Sequence, residues 1–410
     1  MEVHPFLEQG VVPNNNLWYV LSTLGESPTM RVGHSCSFIP GENGNGKLFV
    51  IGGATPSGSF SEVFLLDLDT LQWDTCEAEG FKGRYEHAAF VPESVPQKVY
   101  IFGGAEQSGN MKSVQVYDMK DRTWTSVDVT GTAPSARTQH MSQAGCGDKF
   151  YVFSGGESGV TPVNDRNVYC FDTSTHSWST LETHGKTPEP RHGHLFVGVG
   201  TKLYLHGGMS GPNFFDDVHV FDLMTNTWHN EKKRKGFLSA RAAHSGVAVG
   251  KFIYVFGGMN KEGALDDTYR LNTETLKWTR IDLGGPPPTS RLDFAMCAFP
   301  FTINVSGDAE TSNAGAAAKR AQDAMAKSLQ VLSLGEDPEK EGIPEGAEPS
   351  KETRDEEETE VTEQAAGDAV SASASIGTVT ETQTVTLVLL HGGMDTEGNI
   401  WDDSLVFKAE

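Results

Sequence analysis

Apolar residues along this chain fall in short alternating runs bounded by Gly, Asp, Asn and Thr, which is the periodicity of strands and not the 3.6-residue stripe of helices. Five of these runs end in a glycine pair: FVIGG (Gly52, Gly53), YIFGG (Gly103, Gly104), YLHGG (Gly207, Gly208), YVFGG (Gly257, Gly258) and LLHGG (Gly392, Gly393). A sixth, YVFSGG, fits the set through Lys149, which corresponds to Lys47, Lys98 and Lys202, each five residues before its first glycine position. Ser154 then stands at the first glycine position and Gly155 at the second. The spacing of about 50 residues marks a repeat array, a more economical reading of 410 residues than two unrelated domains.

Other positions keep step with the glycines. A tryptophan follows the second glycine after 20 residues in four copies (Trp73, Trp124, Trp228, Trp278) and after 23 in the third (Trp178). Six residues before each stands Asp67, Asp118, Asp172, Asp222 or Asn272. Upstream, an arginine is followed three residues later by a ring: Arg31 and His34, Arg84 and His87, Arg137 and His140, Arg191 and His194, Arg241 and His244, Arg291 and Phe294. Each unit therefore predicts a four-stranded meander, with one strand after Arg-x-x-His, one ending at the glycines, one ending at the Asp, and one carrying the Trp. The glycine pair supplies backbone angles closed to other residues at a tight inner end. The Asp or Asn closes the hairpin between the third and fourth strands.

These motifs resemble the kelch repeat from about Trp18 onward, apart from one insertion. The resemblance implies an all-β fold, a six-bladed kelch β-propeller with four antiparallel strands per blade. The last copy breaks off two residues after Lys408, which occupies its Asp position. Trp18 lies 13 residues before Arg31, the separation that also holds from Trp124 to Arg137, Trp178 to Arg191, Trp228 to Arg241 and Trp278 to Arg291. Trp18 is thus expected in the last blade, whose fourth strand comes from the N-terminus and closes the ring.

The organisation expected is residues 1–301 for the closing strand, blades 1–5 and the first strand of blade 6, then an insertion at 302–383, then 384–410 for the rest of blade 6. The insertion holds 18 Asp and Glu against 6 Lys and Arg, −12 of the formal net charge of −23. Its acidic and Ser-rich runs predict disorder, with one Ala-rich stretch carrying Ala321, Met325, Leu329 and Leu332 on a helical face that could dock a partner. The overall charge argues against nucleic acid and against acidic substrates. Five widely spaced cysteines without a C-x-x-C pair read as reduced thiols, and no signal sequence or long apolar span is visible, so a cytosolic chain is expected and the Asn304 sequon reads as chance.

Chemistry offers little. Residues repeated in every copy serve the fold, whereas catalysis needs an asymmetric set, so the recurring Arg and His are assigned to structure. Copper-radical oxidases of the kelch class use a Tyr and His set with a Tyr-linked Cys, but Tyr100, Tyr151, Tyr204 and Tyr254 occupy equivalent packing positions. No acidic cluster like that of iron-dependent kelch lyases is found, and the glycine pairs do not lead into a phosphate-binding helix. No enzyme, metal or cofactor is expected, and a metal-dependent kelch enzyme is the lesser alternative. The candidate interface residues are Phe214 and Phe215, between the second and third strands of blade 4, and the run Lys232, Lys233, Arg234, Lys235 in a loop joining blades.

Ubiquitin-ligase adaptors with kelch repeats carry a further region before the propeller, for which there is no room here. The features WYVLSTLGESPTMRVGHSCS, RYEHAAF, IFGGAEQSGN, KFIYVFGGM, RLDFAMC and GGMDTEGNIWDD, with the acidic insertion before the last blade, resemble the kelch-motif effectors of Rab-family small GTPases. That resemblance implies binding to GTP-bound Rab9, support of late endosome to trans-Golgi network transport, and a monomer at the surface of late endosomes, with a further endosomal protein as a second partner. A scaffold for another cytosolic partner is the alternative.

Overall fold

The computed structural model describes residues 4–42, 44–76, 79–138, 143–231, 237–305 and 381–410. The expected helix at 314–332 and most of the acidic insertion lie outside them. Met1–Asn304 and Thr382–Glu410 form one compact unit, and Val305–Glu381 is counted as a second.

The first unit holds six blades, each a four-stranded antiparallel meander, with five two-stranded hairpins beside them, and its described residues contain no helix. Blade 1 comprises Ser35–Ile39, Lys47–Ile51, Val63–Asp67 and Gln72–Cys76, in that spatial order. Blade 2 repeats it with Ala88–Phe90, Lys98–Phe102, Val114–Asp118 and Thr123–Ser126. Blade 3 has Gly145–Cys146, Lys149–Phe153, Val168–Asp172 and Ser177–Thr180; blade 4 has Leu195–Val199, Lys202–His206, Val218–Asp222 and Thr227–Glu231; blade 5 has Ser245–Val249, Phe252–Phe256, Thr268–Asn272 and Lys277–Ile281. Blade 6 is built from both ends of the chain, as Ala295–Val305, Glu381–His391, Ser404–Lys408 and Trp18–Leu21. Trp18 pairs with Phe407 and Val20 with Leu405, so the closing strand sits in the register that the tryptophan spacing predicts. The strands flanking the insertion run further into it than expected: 302–305 and 381–383, assigned to the insertion by composition, are strand. Thr302 and Thr384 hydrogen-bond across that extension at 2.9 Å, which a reading based on charge density could not detect.

Register confirms the alignment of copies. Lys47 pairs with Asp67, Lys98 with Asp118, Lys149 with Asp172 and Lys202 with Asp222 across the second and third strands. The Asp or Asn oxygen then accepts backbone N–H groups two or three residues on, as Asp67 does from Asp69 and Thr70, and Asn272 from Glu274 and Thr275. These are the hairpin closures expected from the sequence.

Packing between blades is a relay of rings. Each buried tryptophan of a fourth strand meets the second strand of the preceding blade: Trp124 on Phe49, Trp178 on Phe102, Trp228 on Phe153, Trp278 on His206, Trp18 on Phe256 and Trp73 on His391, at centroid distances of 4.9–6.4 Å. The second-strand tyrosines add a polar latch. Tyr100 bonds His176, Tyr204 donates to the Thr273 carbonyl and Tyr254 to that of Glu410, each in the next blade. Outer edges are covered too, since Phe6–Leu7, Thr130–Gly131 and His184–Gly185 run parallel to fourth strands and leave fewer open N–H groups.

Candidate interaction face

The repeated arginines are fully buried and tie neighbouring blades together. In each copy one guanidinium nitrogen donates to the carbonyl at the first glycine position of its own blade, over 2.9–3.1 Å for Arg31, Arg84, Arg137, Arg191, Arg241 and Arg291. The backbone carbonyl of the same arginine accepts the N–H of the second glycine of the preceding blade, as Arg84 does from Gly53, Arg137 from Gly104 and Arg31 from Gly393. This explains the pair: Gly104 has φ +84°, and a Cβ there would stand 2.5 Å from the Tyr85 carbonyl oxygen. Ser154 accepts the same left-handed geometry at φ 50°, with its Oγ bridging Arg191 N–H and the Val163 carbonyl.

Five of the six arginines meet a carboxylate: Glu62, Asp165, Asp217, Asp267 and Asp403, the last three through both oxygens. Arg84 instead meets the Gln115 carbonyl oxygen at 2.7 Å, and burial pushes its pKa down to about 10. Sequence reasoning missed these acids, although the position just before the third strand carries Glu62, Asp217, Asp267 or Asp403 in four copies. A ring stacks over most of these guanidinium groups, including Phe215 over Arg191 at 4.0 Å and Trp401 over Arg291 at 4.7 Å. Phe215 is thereby a member of the repeat. Phe214 pairs with Met209 in the adjoining two-stranded hairpin and stays half exposed on the surface. Lys232, Lys233, Arg234 and Lys235 lie outside the described residues.

Above the arginine layer, the residue just before the recurring ring of the Arg-x-x-His motif turns left-handed: Gly33, Glu86, Gly193, Ala243 and Asp293 have φ of 49–64°. Their backbones form a belt about the axis, with Glu86 N–H donating to Gly33, Gly33 to Asp293, Asp293 to Ala243 and Ala243 to Gly193. Left-handed geometry at Glu86, Ala243 and Asp293 carries strain that this belt offsets. It surrounds a cavity of about 330 Å³ lined by Tyr85, Glu86, Asn110, His192, Met259 and Asp293 among others. The floor combines backbone, methionine and a few polar groups, the make-up of a recognition site.

The six loops between second and third strands flank this mouth, and five contain two-stranded hairpins. They expose Glu157, Glu262, Asp266, Glu397 and Asp402, with Glu106 half exposed, beside few bases, so the rim is acidic. At the opposite end of the blades Lys47 pairs with Asp67, Lys98 with Asp118 and Lys149 with Asp172 at 2.9–3.8 Å, beside the exposed acids Glu42, Asp69 and Asp121.

The histidines are dispersed around the axis and packed between blades. His34 Nε2 meets His391 Nδ1 at 2.9 Å, His244 Nε2 meets His206 Nδ1 at 3.1 Å, and His87 Nε2 meets Ser35 Oγ at 2.8 Å. Burial pushes His87, His206 and His391 down to about 3 and holds His34 well below the usual imidazole range, so all four are neutral. His140 lies outside the described residues. Among the described residues no three His, Cys, Asp or Glu side chains are grouped to hold a metal ion, and no helix is long and apolar enough to cross a membrane.

The chain matches the family model for the KLHDC2/KLHL20/DRC7 kelch-repeats domain over residues 11–160, 42–258 and 93–307. It is 46% identical over 408 residues to a mouse (Mus musculus) protein named Rab9 effector protein with kelch motifs, covering 99% of this chain and 97% of the relative. The rat (Rattus norvegicus) protein of that name is 46% identical over 411 residues, 99% of each chain. The human (Homo sapiens) one is 48% identical over 220 residues, 53% of this chain and 59% of its own.

Proposed function

The chain belongs to the family of Rab9 effector proteins with kelch motifs, and from that premise we propose that it is a non-enzymatic scaffold that binds the GTP-bound form of Rab9. The observation that supports this reading is relatedness across the whole chain, not only across the repeats, to proteins named Rab9 effector protein with kelch motifs. The docking surface is the hairpin face with its acidic rim and half-exposed Phe214. A rigid ring suits this task, because it presents loops from six blades without ordering them on binding. Discrimination between nucleotide states follows from touching GTPase segments that are ordered only while the terminal phosphate is present. The scaffold acts as a monomer at the surface of late endosomes, supports receptor transport to the trans-Golgi network and offers its remaining loops to a further endosomal protein.

The test is binding of the purified chain to Rab9 loaded with a non-hydrolysable GTP analogue, against the GDP form and an unrelated Rab. Binding to the GTP form alone is expected. The triple variant Glu157→Lys, Glu262→Lys, Glu397→Lys reverses charge at three exposed hairpin positions and should weaken binding at least about tenfold at low salt, with a smaller loss at high salt. Equal binding to both nucleotide forms removes the effector reading, and an unaffected triple variant removes the docking face.

A further inference from the structure

The blade 6 to blade 1 interface holds a feature that the repeat does not explain. Along the first strands, Cys36 and Phe38 point from blade 1 toward blade 6, because Ile39 packs with the blade 1 to blade 2 core on the other face. In blade 6, Met296 and Ala298 pack with the blade 5 to blade 6 core, which turns Cys297 and Phe299 toward blade 1. Phe38 and Phe299 stack at 6.3 Å, which leaves Cys36 and Cys297, two residues earlier on each strand, facing each other, with the Cys297 thiol donating to the Ala298 carbonyl at 3.8 Å. Both line one cavity of about 290 Å³ at the end of the axis away from the hairpins, together with Phe90, Gln143 and Val247. Cys76 packs with Tyr117 and Cys170 with Tyr151 elsewhere, while Cys146 lines the same cavity with its thiol donating to the Gly200 carbonyl at 2.9 Å.

We propose that Cys36 and Cys297 are an oxidation site at which a peroxide joins the two thiols in a disulfide that staples blade 1 to blade 6. One thiol is oxidised by hydrogen peroxide to a sulfenic acid, releasing one water. The second thiol displaces the hydroxyl as a further water while the S–S bond forms, so two thiols and one peroxide give one disulfide and two waters. A neutral disulfide suits this site as the product, since burial disfavours charge there; the neighbouring Cys297 thiol and the same burial keep the Cys36 thiol protonated and so make the steps, which need a thiolate, slow. The cavity admits a small oxidant to both sulfurs. The covalent loop from residue 36 to residue 297 encloses blades 1–5, so the staple reinforces the ring at the interface next to its hydrogen-bonded closure.

The test uses the full chain, purified reduced and treated with hydrogen peroxide, after which free thiols are alkylated and peptides are mapped without reduction. A Cys36–Cys297 linked peptide is expected in the wild type and not in Cys36→Ala or Cys297→Ala. Unfolding of the oxidised wild type in urea should slow at least about tenfold relative to its reduced form, with no such change in Cys36→Ala. Cys36 and Cys297 both remaining alkylatable after Cys146 has been fully oxidised overturns the proposal. An unchanged unfolding rate in a fully linked protein overturns the staple.

Discussion

Ring closure by the N-terminal strand gives the most demanding prediction, because residues this near a chain end are ordinarily tolerant of change. Trp18 is only 1% exposed and makes edge contacts with Phe407 at 4.7 Å and Phe256 at 5.7 Å, bridging blades 6 and 5. Truncation of a buried tryptophan to alanine removes its transfer free energy and leaves a cavity, together about 3–5 kcal/mol. With a urea dependence of about 3 kcal/mol per molar, the unfolding midpoint of Trp18→Ala should fall by about 1–2 M. Trp228→Ala is the internal control, since Trp228 is 2% exposed and fills the equivalent place between blades 3 and 4. The two variants should lose similar stability, measured by circular dichroism in urea. Trp18→Ala should also expose residues 4–21 to protease, and deletion of residues 1–25 should destabilise the propeller and leave the Ser404–Lys408 edge open to self-association. Adding a peptide of residues 1–25 back in trans should restore part of the lost stability. A Trp18→Ala midpoint within about 0.2 M of wild type, or a truncated chain melting with the intact one, refutes the closure argument.

Arg241→Met removes a guanidinium that satisfies the Gly257 carbonyl and both oxygens of Asp267, and should cost about 3–5 kcal/mol in urea unfolding because Asp267 is left without its partner. Arg241→Lys should lose much of the same stability, since an ammonium cannot reproduce the fork. Stability should also fall with acid. His87, His206 and His391 have folded-state pKa values of about 3 against an ordinary 6.5, so the unfolded chain binds more protons between those values. Their effect is absent above about pH 6.5 and destabilises by roughly 1.4 kcal/mol per histidine for each unit that pH falls below it, down to about 3. The double variant His206→Phe, His244→Phe copies the Phe256–Phe294 pair one blade on, whose rings sit 5.6 Å apart against 5.1 Å for the histidines. It should fold and show a shallower decline of melting temperature between about pH 6.5 and 4.5; an unchanged decline refutes the assignment of that slope to His206.

What the sequence made legible is what the repeat writes six times. The tryptophan spacing located the closing strand, and the lysine spacing placed Ser154 at the first glycine position of the third copy, because both depend on contacts within one meander. Contacts between blades were harder to read. The partner of each arginine is Glu62, Asp165, Asp217, Asp267 or Asp403, with Gln115 in blade 2, and in blades 2 and 3 it leaves the position just before the third strand, so neither letter nor spacing holds in all six copies. Left-handed geometry at Glu86 and Asp293 was hidden because the residues there are not glycine, and only Gly33 and Gly193 carry the usual signature. Apposition of Cys36 and Cys297 depends on which face of each first strand looks toward the neighbouring blade, a property of the closed ring. The sequence leaves open which of Phe214 and Phe215 packs inward and which is free for an interface; in the ring Phe215 stacks on arginine, as Phe60 does over Arg31 at 4.5 Å.

The same division separates residues that make the fold from those free to select a partner. Glycine pairs, arginines, tryptophans and the rings stacked on them are consumed by contacts between blades. The hairpin tips beyond them differ from copy to copy: TPSG in blade 1, ESGV in blade 3, NKEG in blade 5 and DTEG in blade 6. Charge follows this partition. With −12 of the net −23 in residues 302–383, the remaining −11 belongs to the rest of the chain. There most of the buried arginines meet acids and several far-end lysines meet aspartates, while the loops between second and third strands expose more acids than bases. A mainly acidic rim would speed encounter with a basic surface and leave shape at the tips to decide which one stays bound. Selectivity on this ring is therefore a matter of the tips, and substitutions there can change the partner without touching the contacts that hold the blades together.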